Sequence, residues 1–180
     1  MERSIIIAGS GGQGILFLGK MIAYATMLEG KRVTWFPSYG AEMRGGTANC
    51  TVIISDEMIG SPVVMKPEIL IVMNGTSLER FLPTLRKRGM LFYDSSLITT
   101  PIDRRGIIRV PVPATGIASE MGNPKSANMV LLGACVARTG ILDKTSLFSV
   151  FTDAHDRRKA ESLKDNLMLV QKGIDYIENT

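Results

Sequence analysis

SIIIAGSGGQGILFLGK, from Ser4 to Lys20, is the stretch from which the fold can be read. Ser4-Ile5-Ile6-Ile7-Ala8 is a continuous apolar run of the kind that forms a central strand covered on both faces. Gly9, Gly11 and Gly14 then fit the spacing G-x-G-x-x-G. From Ile15 to about Leu28 the residues Ile15, Leu18, Ile22 and Ala25 recur at helical steps, and Gly30 provides a stop just past the end. Lys31 to Phe36 reads as a second strand ended by Pro37, so the segment is a strand, a glycine turn, a helix and a strand.

The chemistry of such a turn is general. Glycine lets the backbone approach a ligand closely, and the helix that begins near Ile15 aims unsatisfied N–H groups at whatever sits there. A nicotinamide or flavin adenine site adds an acidic residue about 20 residues on, at the end of the second strand, to hold the ribose hydroxyls. Here that strand ends Trp35-Phe36-Pro37-Ser38, and Glu29 lies before it. The missing acid argues against a nicotinamide site, and a turn that only packs helix on strand stays open as an alternative.

Beyond this unit, Thr47 to Ser55 alternates as a strand and Ser61 to Met65 reads as a short partner before Pro67. Ile69 to Met73 is another apolar strand, Ser77 to Arg88 an amphipathic helix capped by its first residue, and Met90 to Tyr93 a strand. Ile107 to Val112 follows as a strand. Ser126 to Thr139 is apolar nearly all round, which marks a helix buried or held at an interface, and the expectation is that it docks on a partner chain. Asp143 to Val150 reads as a short helix, and Arg157 to Glu178 carries one apolar stripe of Leu163, Leu167, Val170, Ile174 and Ile177. The fold class expected is three-layer α/β/α: a Rossmann-like, largely parallel sheet with an antiparallel contribution from residues 47–65 and a helical C-terminal third, in a single domain over 1–180.

Composition narrows the function. The 21 basic and 17 acidic side chains give +4, spread over Arg86-Lys87-Arg88, Arg104-Arg105 and Arg157-Arg158-Lys159. With one Trp and few aromatics beside them, these read as solvated ends of elements, and no nucleic-acid partner is expected. No apolar run approaches the roughly 18 residues of a membrane span. Nor does the start resemble a secretory signal, so a cytoplasmic protein without a membrane partner is expected. Cys50 and Cys135 are far apart in apolar settings, as suits packed thiols, and no CxxC occurs. The single histidine, His155, lies among charges between Asp153 and Asp156, and no zinc spacing or nucleophile–base set is visible. No catalytic residue and no metal ligand are therefore assigned.

The loop PSYGAEMRGG, from Pro37 to Gly46, breaks both periodicities. Glu42 and Arg44 stand among glycines that let a guanidinium or backbone approach a partner closely, although mutual pairing or helix capping would also account for them. Taken in order, GSGGQG, SYGAEMRGGTANC, TVIISDEMIGSP and GNPKSANMVLLGA resemble the gamma subunit of 2-oxoacid:ferredoxin oxidoreductases over nearly the whole chain. The unbroken TANCTVIISDE run is more similar to the 2-oxoglutarate type than to the pyruvate type.

The resemblance implies a subunit of a complex that decarboxylates a 2-oxoacid, transfers the acyl group to coenzyme A and passes electrons to ferredoxin. Thiamine diphosphate, its magnesium and the iron–sulfur clusters would sit on alpha, beta or delta subunits, ferredoxin would be met indirectly, and the isolated chain would be inactive. Carried over by position, Gly9, Ser10, Gly11, Gly12, Gln13 and Gly14 would contact coenzyme A. Ser38, Tyr39, Glu42, Arg44, Gly45 and Gly46 would form a second loop nearby, on the expectation that both loops follow neighbouring parallel strands. Asn123, Ser126 and Asn128 would face the same cleft from the start of the late helix. A pyruvate- or indolepyruvate-type subunit, or a free-standing nucleotide-binding oxidoreductase, are the alternatives.

Overall fold

The computed structural model describes residues 2–38, 47–152 and 160–180. Its centre is a six-stranded sheet built from β1 (Arg3–Ser10), β2 (Arg32–Ser38), β3 (Thr47–Ser55), β4 (Ile69–Val72), β5 (Met90–Asp94) and β6 (Ile108–Val112), in the order β2-β3-β1-β4-β5-β6. The pairs β1–β4, β4–β5 and β5–β6 are parallel, whereas β3 runs antiparallel to both β1 and β2. The largely parallel sheet with an antiparallel part is the arrangement read from the sequence.

Every residue of β4, and β1 from Ile5 to Gly9, is buried, because helices cover both faces there. Ile5, Ile7, Ile69, Ile71 and Phe92 face α1 (Ile15–Leu28), α3 (Ala114–Glu120), α4 (Ala127–Thr139), α5 (Lys144–Thr152) and α6 (Ala160–Glu178). Ile6, Ala8, Leu70, Val72 and Leu91 face α2 (Gly75–Phe81) and the 3-10 turn Leu82–Thr84. The two outer strands each contain a proline, Pro37 in β2 and Pro111 in β6. A missing N–H is tolerated at a sheet edge, which is why β2 continues to Ser38 instead of stopping at Phe36.

Several expectations change. No strand forms over Ser61–Met65: Pro62 and Pro67 lack ladder donors, and Val63 and Met65 are exposed at 63% and 78%. Strands β1 and β2 point the same way but are not neighbours, because β3 lies between them. The helix expected to run to Arg88 stops at Phe81, where Pro83 tightens the chain into a 3-10 turn. Its cap is Asn74, whose side chain accepts from Ser77 N at 2.7 Å. Helix α3 was not expected. The buried carboxylate of Asp94 starts it by accepting from Thr115 N and, at 2.5 Å, from Thr115 Oγ1, while also taking Ser96 N.

Helix α4 is buried from Ala127 to Val136 by this chain itself, not left apolar for a partner. The reason is a close crossing with α6. A Cβ on Gly133 would lie 2.8 Å from Val170 C and closer still to its carbonyl oxygen, and one on Gly173 would lie 2.8 Å from Val130 C. Each glycine admits the other helix's backbone.

Candidate functional site

Helix α1 leaves β1 on one face of the sheet and α2 leaves β4 on the other, so the carboxyl ends of these adjacent parallel strands flank the crevice where open α/β sheets bind ligands. The glycine turn sits at that point. Gly14 holds φ +69° and Gly12 φ +92°, both left-handed, while Gly11 does not. A Cβ on Gly9 would meet Ile15 Cδ1 at 2.6 Å and Gln13 Oε1 at 2.7 Å. A Cβ on Gly14 would meet Asn128 Cγ at 2.9 Å. Gly14 is thus called for by its left-handed φ and by Asn128 together, while at Gly9 a side chain would displace the ends of Ile15 and Gln13. Gly11 and Gly12 are exposed, and around Gly12 a Cβ would meet nothing within 4 Å.

Side chains hold the turn in place. Gln13 accepts from Ser10 N through Oε1 at 2.7 Å and donates through Nε2 to Met73 O at 3.2 Å. Asn74 donates to Ser10 Oγ at 2.7 Å while its own oxygen caps α2. From the far side Asn128, only 3% exposed, donates to Gly14 O at 3.0 Å, the same carbonyl that accepts the first helical bond from Leu18 N. Helix α1 itself starts with no side-chain cap and no acid in its first turn. Its leading N–H groups therefore lie ahead of the first helical bond, and the helix dipole adds partial positive charge there. The turn can receive a phosphate or carboxylate.

The sequence-derived set divides as follows. Gly9 to Gly14 form this turn, and Asn128 is brought onto it. Ser38 ends β2 opposite Asn49, at the same end of the sheet but two strands from β1, or roughly 10 Å across. Asn123 precedes the 3-10 turn Pro124–Ser126 and Ser126 ends it, Ser126 N bonding Asn123 O, and Ser126 makes no side-chain cap to α4. Tyr39, Glu42, Arg44, Gly45 and Gly46 lie outside the described residues, as does His155. Asn74 was missed. Its signal was a polar residue directly after the apolar run of β4, three before Ser77, the spacing of a helix cap.

Cys50 packs beneath the start of α1, its thiol 3.6 Å from Ile15 O. Burial pushes its pKa up to about 12, against the smaller opposing effect of the Trp35 indole beside it. Cys135 in α4 is pushed up to about 12 by burial in the same way. Both thiols are free and buried, on separate elements, and the chain has no others. This donor set does not fit a cysteine-ligated cluster. Among the described residues no three His, Cys, Asp or Glu side chains converge as metal ligands, and no helix is long and apolar enough to cross a membrane.

Fold and turn together define a doubly wound α/β domain with an anion-ready turn at its switch point. The chain matches the family model described as pyruvate ferredoxin/flavodoxin oxidoreductase over residues 4–176, and it belongs to that family. It is 39% identical to the ketoisovalerate oxidoreductase subunit VorA of Methanothermobacter marburgensis over 97% of its own length, but spans 36% of that relative. It is 33% identical to the 2-oxoglutarate synthase subunit KorC of Methanocaldococcus jannaschii, covering 97% of this chain and 94% of the relative. Two solved structures are similar. The 2-oxoglutarate:ferredoxin oxidoreductase of Magnetococcus marinus, with 2-oxoglutarate, coenzyme A and succinyl-CoA bound, superposes with TM-score 0.90 at 28% identity, over 99% of this chain and 31% of that one. The keto/oxoacid ferredoxin oxidoreductase gamma subunit of Geobacter sulfurreducens superposes with TM-score 0.83 at 27% identity, over 99% of each chain.

Proposed function

We propose that the chain is the gamma subunit of a thiamine diphosphate-dependent 2-oxoacid:ferredoxin oxidoreductase that converts 2-oxoglutarate and coenzyme A to the acyl-CoA, carbon dioxide and reduced ferredoxin. In this reading its 180 residues act as one domain, and its part is to bind coenzyme A, not to break bonds. The observation that carries it is the uncapped start of α1 behind the exposed Gly11-Gly12 pair, held from three sides by Gln13, Asn74 and Asn128. Such a turn fits a phosphate of coenzyme A: the N–H groups bind it, and the exposed Gly11-Gly12 pair places no side chain in its way. Thiamine diphosphate, magnesium and the clusters belong on alpha, beta or delta subunits in this reading, in keeping with a chain whose two cysteines are both packed inside it.

The branched-chain reading is the competitor, because VorA is at least as similar in identity as KorC. Two observations favour 2-oxoglutarate. KorC matches this chain end to end in length, and the neighbour with TM-score 0.90 is named for 2-oxoglutarate. The test is to purify the complex that contains this chain and follow coenzyme A-dependent viologen reduction with 2-oxoglutarate, ketoisovalerate and pyruvate. The reading expects the highest kcat/KM with 2-oxoglutarate; a preference for ketoisovalerate would replace it with the branched-chain one.

A further inference from the structure

A helix that is apolar on every side belongs inside a protein or against another chain. Helix α1, ILFLGKMIAYATML, has Lys20 as its single charge. Its inner side, Ile15, Leu18, Ile22 and Ala25, is buried on the sheet. Its outer side is not: Phe17 is 37% exposed, Tyr24 51%, Met27 61% and Leu28 55%. Spaced at helical intervals, these four fall on one stripe. Helix α6 shows the ordinary pattern by comparison, with Lys164, Gln171, Lys172 and Glu178 turned outward.

We infer that the outer stripe of α1 is the docking surface for a different polypeptide of the complex, one with an apolar contact face set in acidic surroundings. A second copy of this chain fits poorly. The chain carries +4, and a twofold contact through the stripe would bring two Lys20 ammonium groups into one interface. The relatives point the same way. In VorA and in the Magnetococcus chain the equivalent domain is 36% and 31% of a longer polypeptide, tethered there to other protein. KorC, of which this chain covers 94%, is named as a separate subunit, so in that relative the link to the rest of the complex is non-covalent. Four large, partly exposed apolar side chains gathered on one helix stripe, and not scattered singly, form a contiguous apolar surface. The stripe begins at Phe17, less than one turn from Gly14, so a chain docked on it also walls the open end of α1.

The inference rests on the reading that the chain works within a complex. It is tested by placing the photo-cross-linking residue p-benzoylphenylalanine at position 24 in the tagged full chain, expressed in its native cell, and identifying the product after purification and irradiation. The expected product joins this chain to a non-identical subunit whose sequence matches the part of VorA that this chain does not span. A cross-link to a second copy, or none in an intact complex, overturns the inference alone. A wild-type chain that purifies by itself overturns this inference and the subunit reading together. Met27→Glu supplies the second arm: with circular dichroism and Tm unchanged, it should reduce the co-purified subunit about tenfold or more, and undiminished recovery would refute the docking face.

Discussion

Replacing Gly133 with Ala tests the packing that carries Asn128 to the glycine turn. The new methyl would lie 2.8 Å from Val170 C and inside the contact distance of its carbonyl oxygen, so backbone and not a flexible side chain must give way. Helices α4 and α6 would have to separate by about 1 Å or more, enough to forfeit about half of the dispersion energy at each contact between them. Overpacking of this kind costs about 1–3 kcal/mol, and here it stands at the upper end because neither partner can rotate away. Alanine returns about 1 kcal/mol of helix propensity, leaving a net loss of about 2 kcal/mol. For a chain of this size that lowers Tm by about 4–8 °C, read by circular dichroism at 222 nm. Gly173→Ala should behave alike, and the double variant should lose less than the sum, since the helices are already parted. Gly60→Ala, where a Cβ would meet nothing within 4 Å, is the control and should shift stability by no more than about 0.5 kcal/mol. A Gly133→Ala chain as stable as wild type would refute the crossing.

Asn74→Ala removes both the α2 cap and the bond to Ser10 Oγ and should cost about 1–2 kcal/mol in urea unfolding, whereas Asn74→Asp keeps the cap, loses the donor and should fall between. The buried thiols should resist Ellman's reagent at pH 8 in the folded chain and react fully in guanidinium. Their folded pKa values lie above the unfolded ones, so their contribution to stability is fully present below pH 9 and is lost as pH rises from 9 towards 12; a urea midpoint that rises over that window would contradict the burial.

What could be read in the sequence was what is local. The run of isoleucines in β1, the glycine turn and the period of α1 each follow from neighbours within a few residues, and each was placed correctly. Pairing is not local: nothing in Thr47–Ser55 says that it inserts between β1 and β2, since its alternation would serve beside either strand. Nor does the apolar character of α4 say what covers it; that depends on Gly133 meeting Gly173 forty residues on. Helix α3 was hidden because Ala-Thr-Gly-Ile has weak propensity, and its start is supplied by Asp94 from another strand. Asn74 was overlooked for a related reason, since its value lies in reaching Ser10 across the sheet.

The most direct test of coenzyme A binding at the glycine turn is its KM in the purified complex carrying Gly11→Val. Gly11 is exposed and its φ is not left-handed, so a valine is not barred there by the backbone, and it adds bulk at the approach to α1. The account predicts a KM for coenzyme A raised about tenfold or more, with KM for the 2-oxoacid and the assembly of the complex unchanged. An unaltered KM for coenzyme A in an intact complex would contradict it and leave the turn as packing alone.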